Sequence, residues 1–194
     1  MTVNDIIQDT RVVHVRELKA EVARLNAELS TARDELASLR GHFDLALLAA
    51  RDAEQMPDDA TFWIIDGWNV LLGSESILSA AEKRLPHSEK VEILRARVRT
   101  KLDEAPHLND QAWIVLDGPR PGGAVEGRVR VSWTGGTGAH RADRFICDYL
   151  RMRRFAGARG KVVVATNDKD FKREAERLGA EVVGSEGLEV RGER

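Results

Sequence analysis

The sequence predicts an α/β domain, a mainly parallel sheet with helices on both faces, preceded by a long coiled-coil helix. Three observations predict it. Residues 15–43 carry a heptad repeat of apolar side chains. From Ala60 onward, short β-rich runs alternate with helical patterns, as parallel sheets with crossover connections require. Finally, several of the apolar runs stop at an acid. Phe62-Trp63-Ile64-Ile65-Asp66-Gly67 is the sharpest, followed by Trp113-Ile114-Val115-Leu116-Asp117-Gly118 and Val162-Val163-Val164-Ala165-Thr166-Asn167-Asp168.

The N-terminal helix has Val15, Val22, Leu29, Leu36 and Phe43 at heptad position a, and Leu18, Leu25, Ala32 and Leu39 at d. Four heptads of that pattern read as coiled coil. Glu21, Glu28 and Glu35 fall at g, and Lys19, Arg33 and Arg40 at e, with Asn26 the exception. In a parallel pair, Glu28 faces Arg33 of a second copy and Glu35 faces its Arg40. An antiparallel pair would oppose like charges. The expected partner is therefore a second copy of this chain, through residues 12–50, although the stretch after Gly41 widens its apolar stripe enough to pack on the following domain. Met56-Pro57 closes the helix, because proline disfavours α geometry in the residue before it. Two domains follow from that boundary, a helix over 1–57 and a globular domain over 60–194.

Within the second domain the strands expected are 61–66, 111–117, 128–133, 161–166 and 181–183. The helices expected are 88–102, 140–155 and 169–178, with a short one near 77–84. Residues 119–127, with two prolines and three glycines, read as a flexible loop. The runs at 63–65 and 161–166 are apolar nearly throughout, as central parallel strands are.

Composition leaves several function classes open and closes others. A formal net charge of −2 neither requires nor excludes a polyanionic partner. Residues 120–173 hold 13 Lys/Arg against five acids, a local excess suited to a nucleic acid. The lone Cys147 forms no internal disulfide and reads as a buried thiol. No signal peptide and no apolar run of membrane-spanning length are present, so a cytoplasmic protein is expected.

Asp66, Asp143 and Asp168 all stand where a strand ends or a helix begins, at the edge where open α/β sheets bind ligands. Each acid alone has a structural use: a turn, a match to the helix dipole, or an N-cap. Together they read as hard oxygen ligands for Mg²⁺ or Mn²⁺. The five histidines are scattered and form no zinc grouping. Asn69 is placed to hold Asp66 or a phosphate. Arg141 and Arg144 sit at the positive end of a helix, where cations are disfavoured, and imply an anion nearby. The loop Thr134-Gly135-Gly136-Thr137-Gly138 would let a nucleic-acid backbone approach but lacks a P-loop lysine. A phosphatase of the haloacid dehalogenase type needs Asp-x-Asp, and the second position here is Trp68.

The ordered set Asp66-Gly67-x-Asn69, Leu116-Asp117-Gly118, Val131-x-Trp133-Thr134, Ala142-Asp143-x-x-Ile146, Thr166-Asn167-Asp168 and Gly179-Ala180-x-Val182-Val183 resembles the NYN domain, in particular its YacP-like branch among the PIN-like nucleases. The resemblance covers roughly 60–187 and leaves the helix outside. It implies a PIN-like, doubly wound sheet and a metal-dependent ribonuclease. The family's metal-binding acids map onto Asp66, Asp143 and Asp168, with Asn69 and Asp117 as further catalytic positions and Asp170 as an alternative fourth acid. Arg141, Arg144 and Lys169 would meet the RNA backbone. Trp68 stands where the family usually has tyrosine, and Asn167 where many relatives have a small residue; every carboxylate is kept. The function expected is a dimeric, Mg²⁺- or Mn²⁺-dependent endoribonuclease. The alternative is a catalytically weak or inactive RNA-binding or scaffold module acting through its coiled-coil partner.

Overall fold

The computed structural model describes residues 3–73, 77–105, 107–119, 121–136 and 140–188, with side chains from residue 14 in the first helix. Arg120, Thr137 and Gly138 lie outside what is described, as do the side chains of the first two residues of the expected dimer segment. Two compact units divide the chain, residues 1–44 and 45–194.

In the first unit, α1 (Val3–Gln55) is one continuous helix that runs on into the second. The heptad residues Val15, Leu18, Val22, Leu25, Leu29, Leu36, Leu39 and Phe43 are each 48–70% exposed. Arg24 bridges Glu21 and Glu28 along the helix, at 2.6 and 2.5 Å. Such exposed i,i+3 and i,i+4 pairs stabilise a helix only slightly. The apolar stripe changes owner after Asp44. Leu45 and Ala49 are buried in the core of the second unit, so these two residues of the segment 12–50 are not available to a partner.

The second unit is a six-stranded sheet, order β3-β4-β2-β1-β5-β6. Its strands are β1 (Thr61–Asp66), β2 (Gln111–Leu116), β3 (Pro121–Glu126), β4 (Val129–Thr134), β5 (Lys161–Ala165) and β6 (Glu181–Val183). All pairings are parallel except β3–β4. The chain moves outward from β1 through β2 to β4, then returns to lay β5 on the other side of β1. The strand order therefore reverses at β1/β5, a doubly wound arrangement whose ligand crevice lies beyond the carboxyl ends of those strands.

Alternating side chains of β1 feed two cores. Phe62 and Ile64 join Trp113, Val115, Val164 and the apolar faces of α4 (Arg141–Phe155) and α5 (Lys169–Arg177). Ile65 joins Ile114, Leu116, Val131 and the faces of α2 (Gly67–Gly73) and α3 (His87–Asp103). The sheet is thus covered on both faces. The last turns of α1 belong to the first core. There Asp52, 5% exposed, takes two hydrogen bonds from Arg130 at 3.0 and 3.1 Å and one from the Tyr149 hydroxyl at 2.8 Å. Burial and the Asp52 charge push the Tyr149 hydroxyl pKa upward, so it remains a donor.

Residues 121–126, read as loop, are instead β3. All six are exposed, Pro121 takes the first position of an edge strand, and the two-residue turn to β4 begins at Gly127 with φ 58°. Proline and glycine are excluded from central strands but tolerated there. The basic stretch is also partly paired within the chain, mostly at the surface. Arg128 pairs with Asp103, Arg130 with Asp52, Arg151 with Asp148 and Glu174, and Lys161 with Glu181. No described helix is long and apolar enough to cross a membrane.

Candidate active site

The sharp exit from β1 creates the site. Gly67 begins α2 directly after Asp66, and any side chain at 67 would collide with Leu116 and the Val115 carbonyl. Only glycine lets β1 turn this close to β2 and keep Asp66 at the strand end. Asp66, Asn69, Asp117, Asp143 and Asp168 are all brought to the walls of one cleft of ≈ 420 Å³, together with Trp68, Leu72, Gly73 and His140. No Lys or Arg is among these lining residues.

Asp66 is 4% exposed. Thr166 donates its hydroxyl to Asp66 Oδ2 at 3.0 Å, and the Asn69 backbone N–H donates to the same carboxylate. Burial, and then the charge of Asp143, push the Asp66 carboxyl up to about 7, with Asp117 adding to the effect. Asp143 is raised too, chiefly by burial and by Asp168, against the hydrogen bond from His140. Carboxylates so raised are short of positive charge.

Each remaining acid is held by the backbone it terminates. Asp168 Oδ1 accepts from the N–H groups of Asp170 and Phe171, at 2.8 and 3.0 Å, as the N-cap of α5. Asp117 Oδ1 accepts from Ala142 N at 2.7 Å and from the Thr134 hydroxyl at 3.1 Å. It therefore caps α4 from another strand. Asp143 is relieved of that duty and turns to His140, whose Nδ1 lies 3.0 Å from Asp143 Oδ2. The Asn69 side chain makes no hydrogen bond to Asp66; its carbonyl accepts from Asn167 N at 3.0 Å and ties the β1 exit to the β5 exit. Thr166, 2% exposed, links the two acids directly, since its oxygen also accepts from Asp168 N at 3.1 Å.

Asp170 lies outside this cleft, 96% exposed and 3.7 Å from Arg173. It borders an adjoining groove of ≈ 460 Å³ between α4 and α5, whose walls include His140, Arg144, Cys147 and Phe171. Burial pushes the Cys147 thiol up to about 11, as suits an inert core group. Arg144 and Lys169 are exposed. Arg141 is not. Its guanidinium lies directly against Gly136, at φ 74°, and its buried Nε has no partner. At Gly136, the space that the glycine loop offered to a nucleic-acid backbone is filled by this side chain.

Sequence reasoning passed over His140 and Thr166. The only signal for His140 is its place three residues before Asp143. Thr166 acts through two hydrogen bonds that no spacing announces.

Fold and site together define an α/β protein with an acid-lined cleft at the switch point of a doubly wound sheet. No family model and no curated protein matches the chain. Among solved structures it is similar to a tryptophan-to-leucine mutant of Rae1 (YacP) from Bacillus subtilis, with 17% identity and a TM-score of 0.47, covering 66% of this chain and 72% of that one.

Proposed function

We propose that this chain is a metal-dependent endoribonuclease that works as a homodimer. One observation carries the nuclease reading: four aspartates share a cleft whose described walls hold no Lys or Arg. That donor set fits a hard divalent cation. Asp66, Asp143 and Asp168 would hold Mg²⁺ or Mn²⁺. When bound, the ion supplies the positive charge that activates a water and offsets charge developing on a phosphodiester.

The chain's own residues do the rest. Thr166 and the Asn69 N–H fix the Asp66 carboxylate, while the Asn69 side chain locks the two strand ends together. Asp117, anchored by α4 and Thr134 through one oxygen, orients the assembly with the other. Arg144 and Lys169 meet backbone phosphates outside the acids, positioning the strand without reading its sequence. Arg141, packed on Gly136, is left out of that role. RNA as the substrate is supported by the motif order.

The test is incubation of the full chain with structured RNA, unstructured RNA and DNA, in Mn²⁺, Mg²⁺ or EDTA, beside Asp143→Asn. RNA cleavage that needs metal and disappears in the variant supports the reading. Cleavage at a near-native rate in the variant overturns it. The exposed a/d residues and the complementary g and e charges support a parallel dimer, although each exposed pair adds only ~0–1 kcal/mol. Sedimentation equilibrium should give a dimer for the native chain and a monomer for Leu29→Lys; a native monomer defeats this part.

A further inference from the structure

We infer that His140 is a nitrogen ligand of the cation held at Asp143 and Asp168, and that it tilts the site toward Mn²⁺ over Mg²⁺. This rests on the metal-dependent reading above. One donor atom from each of His140, Asp143 and Asp168 lies within 4.8 Å of the other two. The 3.0 Å between His140 Nδ1 and Asp143 Oδ2 matches the ~3.0 Å between adjacent ligands of an octahedral ion with bonds of ~2.1 Å.

His140 is not retained for the helix. It occupies the N-cap position of α4 but makes no side-chain cap bond; that bond comes from Asp117. An imidazole at a helix N-terminus opposes the dipole whenever it is charged. The residue also holds φ 59°, the only positive φ among the described non-glycine residues, a conformation histidine adopts more readily than most side chains. What the position does provide is access. The ring is 67% exposed and borders both the acid cleft and the adjoining groove, so Nδ1, once its proton shifts to Nε2, can turn to an ion without rebuilding the core. A set of carboxylates alone suits Mg²⁺ and Mn²⁺ alike, whereas an imidazole favours the transition-series ion.

Calorimetric titration of the full chain with MnCl₂ and with MgCl₂ tests this, beside His140→Ala and His140→Asp. Pulsed electron paramagnetic resonance of the bound Mn²⁺ reads the ligand directly. The native chain should show imidazole nitrogen coupling, and both variants should lose it. The preference for Mn²⁺ should fall on the order of tenfold in His140→Ala and further in His140→Asp, which restores an all-oxygen set. Mn²⁺ bound to the native chain without nitrogen coupling overturns the inference and leaves the metal-dependent reading standing. No binding of either ion overturns both.

Discussion

Asp52 and Asp66 are almost equally buried, at 5% and 4% exposure, and the fold treats them in opposite ways. Asp52 is met by a guanidinium and a tyrosine hydroxyl, three hydrogen bonds in all. Asp66 receives only neutral donors, from Thr166 and Asn69, and faces two further carboxylates. A buried acid given an internal cation fastens one element to another. A buried acid denied one keeps its charge unbalanced, and that imbalance is available to an ion from solution. The same residue type thus yields a fastener on one face of the sheet and, in the proposed reading, a cation ligand at its edge.

Four substitutions break or sharpen this contrast. Asp143→Asn should lower metal-dependent cleavage on the order of a hundredfold or more while leaving the thermal midpoint in EDTA unchanged or raised, as scanning calorimetry would register. A large loss of stability there would place Asp143 with the fasteners. Asp52→Ala should do the reverse. Stranding Arg130 costs ~3–5 kcal/mol in urea unfolding, whereas cleavage per folded molecule stays native; a selective loss of activity would refute the assignment.

The Asp66 carboxyl is raised from its usual value to about 7, so its proton binds more tightly in the folded state. That contribution to stability is fully present below the unfolded value near 3.8 and is lost as pH rises through 7. In EDTA, native stability should therefore decline between about pH 4 and 8. Asp66→Asn should flatten the decline and gain on the order of 3 kcal/mol at pH 8, measured by denaturant unfolding at each pH; parallel curves for the two proteins would defeat the idea. Thr166→Val removes the hydroxyl that joins Asp66 to Asp168. Its expected effect is the smallest, about a tenfold loss in metal affinity with little change in the circular dichroism spectrum. Unaltered affinity would make Thr166 mere packing.

The sheet was legible because its central strands announce themselves. Phe62–Ile65 and Val162–Ala165 are buried on both faces, so their apolar runs lack polar interruptions, and an acid placed right after such a run lands on the carboxyl edge. For the same reason Asp66, Asp117 and Asp168 could be picked out before their meeting was seen, while Asp143 was marked by its place in the first turn of a helix. Edge strand β3 was not legible, since its Pro121-Gly122-Gly123 start carries loop composition and makes its pairing with β4 on one side only. The ownership of Leu45 and Ala49 was ambiguous because an apolar stripe does not say which partner covers it. The bonds that shape the site were beyond periodicity altogether. Asn69 and Asn167 stand 98 residues apart and Thr166 and Asp66 stand 100 apart, and only the fold brings them together.

The edge strand has one more effect, on the behaviour of concentrated solutions. An open sheet exposes unpaired N–H and C=O groups on which a neighbouring molecule can add a strand, the first step toward fibrils. Here one border opens with Pro121 and two glycines and carries Val125 as its main apolar side chain, while the other, β6, is three residues long. Neither makes a good template for cross-β stacking. If copies associate through the exposed helix stripe as proposed, they can therefore crowd without their sheets growing into one another.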